Sequence, residues 1–107
     1  MDNQHRKIAG YRELSQEEIG LMNAIKNQGA EMLRLQRQLH HRLTGTRELL
    51  LAASENPEHS AEYRQAAADE LARFNGAEPL RWLAIGKTDI QTAVMALVRA
   101  VAQPADD

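Results

Sequence analysis

Two groups of side chains in this sequence have types and spacing suited to holding a nucleotide. The first is Gly10-Tyr11-Arg12, a ring and a charge on a short arm that leads into a helix start. The second lies on that helix: Lys26, Ala30, Arg34, Arg37 and His41 fall on one side, and Gly29 opens the surface beside Lys26. A phenol ring offers a face on which any base can stack, and a lysine ammonium is a compact point charge for a phosphate oxygen. Tyr11 and Lys26 are the minimum kit for a nucleotide, with Gly10, Arg12, Gly29 and Ala30 beside them. Each half also has a plainer reading. Tyr11 can lie across the protein's own surface, and a basic row on a helix is most often a solvated face.

Other patterns carry less chemistry. Gly86-Lys87-Thr88 suggests a phosphate loop, but that motif needs a glycine where Arg81 stands and a strand before it. Gly86 reads better as a small residue that lets two helices approach. His40 and His41 are adjacent and so point to different sides of a helix, and neither has a metal-ligand partner at i+4. The chain has no cysteine, which rules out disulfides and thiolate metal sites and fits a reducing compartment. No serine, threonine or lysine is paired with a recognisable base. A binding protein is expected, with no catalysis, no metal and no cofactor. The net charge of −2 speaks against long DNA or RNA, which calls for a basic face, but leaves room for a small anion met by a few placed cations. Met1 to Lys7 contain no apolar segment, and no apolar run approaches the ~20 residues of a membrane span. A cytoplasmic protein without membrane contact is expected.

The elements that must position these residues are helices. Hydrophobic residues make up 43% of the chain and aromatics only 4%, so aliphatics, alanine and methionine carry the packing. Ser15 and Glu18 have the spacing of a capping box, with Leu14 and Ile19 placed as its hydrophobic staple. Glu17 and Glu18 sit at the positive end of the helix dipole. From Ser15 to about Leu43, the residues Met22, Ile25, Gly29, Met32, Gln36, Leu39 and Leu43 recur at alternating steps of three and four. That spacing predicts a near-parallel or antiparallel neighbour, with Gln36 as a polar interruption and Gly29 as a close approach. Such a helix is about 44 Å long, whereas a compact globule of this length is roughly 35 Å across. Thr44-Gly45-Thr46 marks a kink or a run-through, because helix formers resume from Arg47 to Ala53.

Pro57 marks a turn, and a second helix is expected from Glu58 to Phe74, with Gly76 as its left-handed cap. A third runs from Pro79 to about Ala102 and is ended by Pro104. It carries two apolar sets: Leu80, Leu83, Ile90, Val94, Leu97 and Val101, then Trp82, Ile85, Met95, Val98 and Ala102. A helix apolar on two faces is suited to burial between subunits. The expected fold is therefore all-α. A short N-terminal arm (1–14) precedes one helical domain (15–103) of long antiparallel helices in a hairpin or bundle, with a flexible tail (104–107), assembled as a homo-oligomer.

Two blocks, IAGYRELSQEEIGLMNAIKNQG near the start and RWLAIGKTDIQTAVMALVRAVAQP near the end, resemble a family of short phage proteins, the anti-CBASS cyclic-oligonucleotide sponges. The blocks cover under half of the chain, and residues 44–78 carry no resemblance. The resemblance implies a helical protomer assembled as a hexamer. It implies no catalysis: cyclic dinucleotide messengers of bacterial CBASS immunity, such as cyclic GMP-AMP, are sequestered in the host cytoplasm. It also implies that Tyr11 stacks on a nucleobase and that Lys26 contacts phosphate. Some members hold cyclic trinucleotides at a separate site between three protomers. The resemblance does not place that site in this chain, where positions 12 and 28 are Arg and Gln. A function of another class also fits the apolar third helix: an interaction module that inhibits a host protein by direct contact, leaving the arm and Lys26 as surface detail.

Overall fold

The protein is an all-α helical hairpin, and the computed structural model describes residues 12–105. Its helices are α1 (Gln16–Glu55), α2 (Ala61–Ala77) and α3 (Pro79–Ala102). Among the described residues there is no strand, and no helix is long and apolar enough to cross a membrane.

The start of α1 is set by the capping box. Ser15 Oγ accepts the Glu18 backbone N–H at 3.1 Å, and Glu18 Oε1 accepts the Ser15 N–H at 2.9 Å. Two orphan donors of the first turn are thereby satisfied. At Thr44-Gly45-Thr46 the helix runs through. The Thr44 hydroxyl donates to the His40 carbonyl at 3.0 Å and the Thr46 hydroxyl to that of Arg42 at 3.0 Å, so both hydroxyls are satisfied within the helix itself.

The second helix begins at Ala61 rather than Glu58, because Ser60 is the better cap: its Oγ accepts the Tyr63 N–H at 3.1 Å. Glu58 instead lies in a turn, its N–H held by Asn56 Oδ1 at 2.9 Å. The Arg64 guanidinium ties that turn down by donating to the carbonyls of Pro57 and His59. At its other end α2 continues through Gly76 to Ala77, and the left-handed residue is Glu78, with φ 52°. Glu78 serves both helices: its N–H donates to the Asn75 carbonyl at 3.1 Å, and its carbonyl accepts from Trp82 N–H at 3.2 Å. Pro79, already fixed at a helical φ, starts α3 directly after it, so Glu78 and not Gly76 takes the reversal. The bounds of α3 agree with those expected from sequence.

The chain divides into two compact units: residues 1–33 with 88–107, and residues 34–87. In the first, the early part of α1 packs antiparallel to the later part of α3, with Gly29 against Val94 and Arg12 against Val101. The residues turned inward on α1 are Met22, Ile25, Gly29 and Leu33, while Met32 is 51% exposed. Strict heptad spacing puts Met32 on the seam. A straight helix drifts about 20° per heptad from that spacing, and Leu33 takes the place instead. The second unit holds the later part of α1, all of α2 and the first two turns of α3, around Ala67, Phe74 and Leu83. Gln36 is accommodated there because its Nε2 donates to the Leu83 carbonyl at 3.2 Å. Gly86 is not a close approach, since no atom lies within 4 Å of where its Cβ would be.

Candidate functional site

Lys26, Gly29 and Ala30 of α1 line one open groove of about 460 Å³ together with Leu33, Gln91, Val94 and Met95. The groove exists because α1 and α3 come unusually close at its base. A Cβ on Gly29 would collide with Val94 Cγ2, so only glycine permits this approach. Ala30, one position on, keeps the wall short. The remaining walls are aliphatic, apart from the Gln91 amide, and Lys26 stands exposed at the edge. A single ammonium over an apolar trough suits a ligand with one anionic and one flat apolar part. Three of the six residues expected at the site are thus brought together.

Arg12 is used differently. Its guanidinium pairs with the Glu18 carboxylate, and Nη2 donates to the Val101 carbonyl at 2.7 Å and Nε to that of Ala102 at 3.3 Å. Those are last-turn carbonyls of α3, unsatisfied within the helix and at the negative end of its dipole. Arg12 therefore ties the arm to the end of α3, and it does not line the Lys26 groove. Glu18, held first by the Ser15 N–H and then by Arg12, has its carboxyl below the ordinary carboxylate range. Gly10 and Tyr11 lie outside the described residues.

Sequence reasoning missed a second groove, within the other unit. His40 and His41, expected on different sides of the helix, both border it, with ring centroids 6.3 Å apart, and Lys87 joins them from α3. The signal was present in the register: an antiparallel partner pairing Gln36 with Leu83 places residues 80–87 beside 36–41. Among the described residues, no group of three His, Asp or Glu could hold a metal ion.

Comparison with known proteins bears on both ends of the chain. Residues 55–102 match the Acb2/Tad1 hairpin domain. That match reaches into residues 55–78, which the sequence reading left without any resemblance. Over 105 residues the chain is 58% identical to Anti-CBASS protein 2 of Pseudomonas phage JBD67, an alignment spanning 97% of each protein.

Proposed function

Because the chain belongs to the phage anti-CBASS family that carries the Acb2/Tad1 hairpin domain, we propose that it is a non-catalytic sponge. It sequesters cyclic oligonucleotide messengers in the host cytoplasm and so blocks CBASS immunity. The observation that carries this reading is the 58% identity across nearly the whole of a protein named for opposing CBASS. The groove formed by Lys26, Gly29 and Ala30 is its candidate seat, with cyclic dinucleotides such as cyclic GMP-AMP as ligands and cyclic trinucleotides as a further class.

The chemistry of a cyclic dinucleotide favours a site built from two protomers. The ligand has two phosphates and two bases related by a near two-fold axis, and an isologous interface repeats one patch about such an axis. One Tyr11 and one Lys26 from each protomer then meet one ligand. Stacking supplies ~1–3 kcal/mol per base, so ~2–6 kcal/mol for two. Nanomolar binding needs ~12 kcal/mol, and the phosphate pairs and enclosure of the ligand supply the rest. Self-association also covers apolar surface that one chain leaves open: Leu21, Met32, Met95 and Leu97 are each more than half exposed. A hexamer is the assembly proposed.

Titration calorimetry with a panel of cyclic di- and trinucleotides tests the reading. Saturation at ~100 times the dissociation constant should raise stability by about 2.7 kcal/mol, and the ligand should be recovered intact on denaturation. Tyr11→Ala should weaken cyclic dinucleotide binding by ~2–6 kcal/mol, and Tyr11→Phe far less. Lys26→Ala should weaken it too, with reduced salt dependence. If neither Tyr11→Ala nor Lys26→Ala changes the affinity while both stay folded, the site is elsewhere.

A further inference from the structure

The groove within residues 34–87 has a chemistry of its own. Arg37, His40 and His41 of α1 and Lys87 of α3 surround about 410 Å³ of open space over Leu80 and Ala84. No aspartate or glutamate lines it. Among the described residues, neither Arg37 nor Lys87 has a carboxylate partner. The seventh lining residue, Gln36, is already committed through its Nε2 to the Leu83 carbonyl. In a chain of net charge −2, Arg37 and Lys87, two cations with no carboxylate partner among the described residues, form a local positive field at one groove.

The two cations differ in what they recognise. A guanidinium presents a planar fork that fits two oxygens of one phosphate, while an ammonium is a point charge that meets another. They stand on different helices, so one ligand can be gripped from both sides. The apolar patch of Leu80 and Ala84 has no use for a bare anion. With two imidazoles bordering it, at 75° to each other so that one ring can offer its face to a flat ligand, that patch suits a planar base. The volume lies in the usual range of small-molecule sites. We propose that this groove is a second ligand site that binds a linear nucleoside diphosphate, with the phosphates between Arg37 and Lys87 and the base against Leu80, Ala84 and the imidazole rings. This lysine belongs to Gly86-Lys87-Thr88, so the residue that fails as part of a phosphate loop gains a phosphate role through the groove.

The test is titration calorimetry of the full chain with ADP, with inorganic pyrophosphate and adenosine as partial ligands. ADP should bind, and each partial ligand should bind at least about tenfold more weakly. Arg37→Ala and Lys87→Ala should each weaken ADP by about tenfold or more. Both positions are exposed, and circular dichroism checks that the variants remain folded. Neither variant should change the affinity for cyclic GMP-AMP, and ADP should still bind when cyclic GMP-AMP is saturating. The proposal is overturned if ADP does not bind, if Arg37→Ala and Lys87→Ala leave ADP affinity unchanged, or if cyclic GMP-AMP displaces ADP. Pyrophosphate binding as tightly as ADP would equally overturn it, by removing the base from the recognition.

Discussion

The two units of this protein differ in what they bury. Residues 34–87 contain every buried hydrophobic side chain among the described residues: Ala67, Phe74 and Leu83. Among the described residues, the unit that carries the Lys26 groove buries Gly29 alone and leaves Leu21, Met32, Met95 and Leu97 largely exposed, while residues 34–87 expose Leu49, Tyr63 and Trp82 beside their core. Three helical segments can close around a core, whereas two can only share a seam, so one face of each stays open. Residues 34–87 are the self-sufficient unit in that they hold a buried core, while both units keep open apolar surface.

The largest effect that would break this comparison is a core truncation. Phe74 is 6% exposed, and Phe74→Ala should cost ~3–5 kcal/mol in urea denaturation. Leu97→Ser, at a position 52% exposed, should cost the isolated chain little but weaken self-association in light scattering. If both variants lower stability equally and neither alters association, the two units do not differ in the way described.

Gly29→Ala comes next. The added methyl meets Val94 Cγ2 at the base of the Lys26 groove, and overpacking of this kind costs ~1–3 kcal/mol. Cyclic dinucleotide affinity should fall with it, because the groove walls must part. Adding Val94→Ala makes room for the methyl and should recover part of both losses. A double variant no better than Gly29→Ala would remove the close approach from the account.

The sequence was most legible where a local rule decides the outcome. The Ser15–Glu18 box, Pro79 as a helix start and Pro104 after a helix end each depend on residues within one turn of one another. It was also legible at Gly29, where a missing side chain in an apolar series has little other explanation. It was less so where two local signals compete. Gly76 looks like a cap, yet Pro79 pulls the reversal to Glu78. Met32 and Leu33 compete for one seam position, and only the partner helix chooses. The second groove could not be read at all without the register between α1 and α3, which no single segment contains. Arg12 was named for its charge, but the carbonyls it meets lie 89 and 90 residues away.

Gly76 gives a smaller, opposite effect in the self-sufficient unit. It sits inside α2 with nothing within 4 Å of its Cβ position, so Gly76→Ala should stabilise by up to ~1 kcal/mol through helix propensity. Thermal denaturation measures it. A loss of stability would show that position 76 needs the glycine backbone after all.

The smallest effect separates the units by electrostatics. Glu18, in the unit of the Lys26 groove, and Glu70, on α2, both have carboxyl pKa values below the ordinary one. The causes differ in order. For Glu18 the Ser15 backbone N–H comes first and Arg12 second, whereas for Glu70 the Arg73 side chain is the leading cause. A carboxylate with a depressed folded pKa contributes stability that is full above its unfolded pKa and is lost as pH falls through the folded value. Both contributions should therefore fade on acidification below the ordinary carboxylate range, and neither should change between neutral pH and mild alkali. Salt then tells them apart. At about 1 M salt the screening length is ~3 Å, which weakens an exposed ion pair such as Glu70–Arg73 far more than a short hydrogen bond to a backbone N–H. Carboxyl titration by NMR should show Glu70 returning toward its ordinary pKa in high salt while Glu18 keeps most of its depression. Glu18→Gln sharpens the result, because glutamine can still accept from Ser15 in the capping box but cannot pair with Arg12. That variant should retain the helix start and lose only the salt-sensitive part. If Glu18 and Glu70 respond to salt alike, the arm is held by charge rather than by the cap.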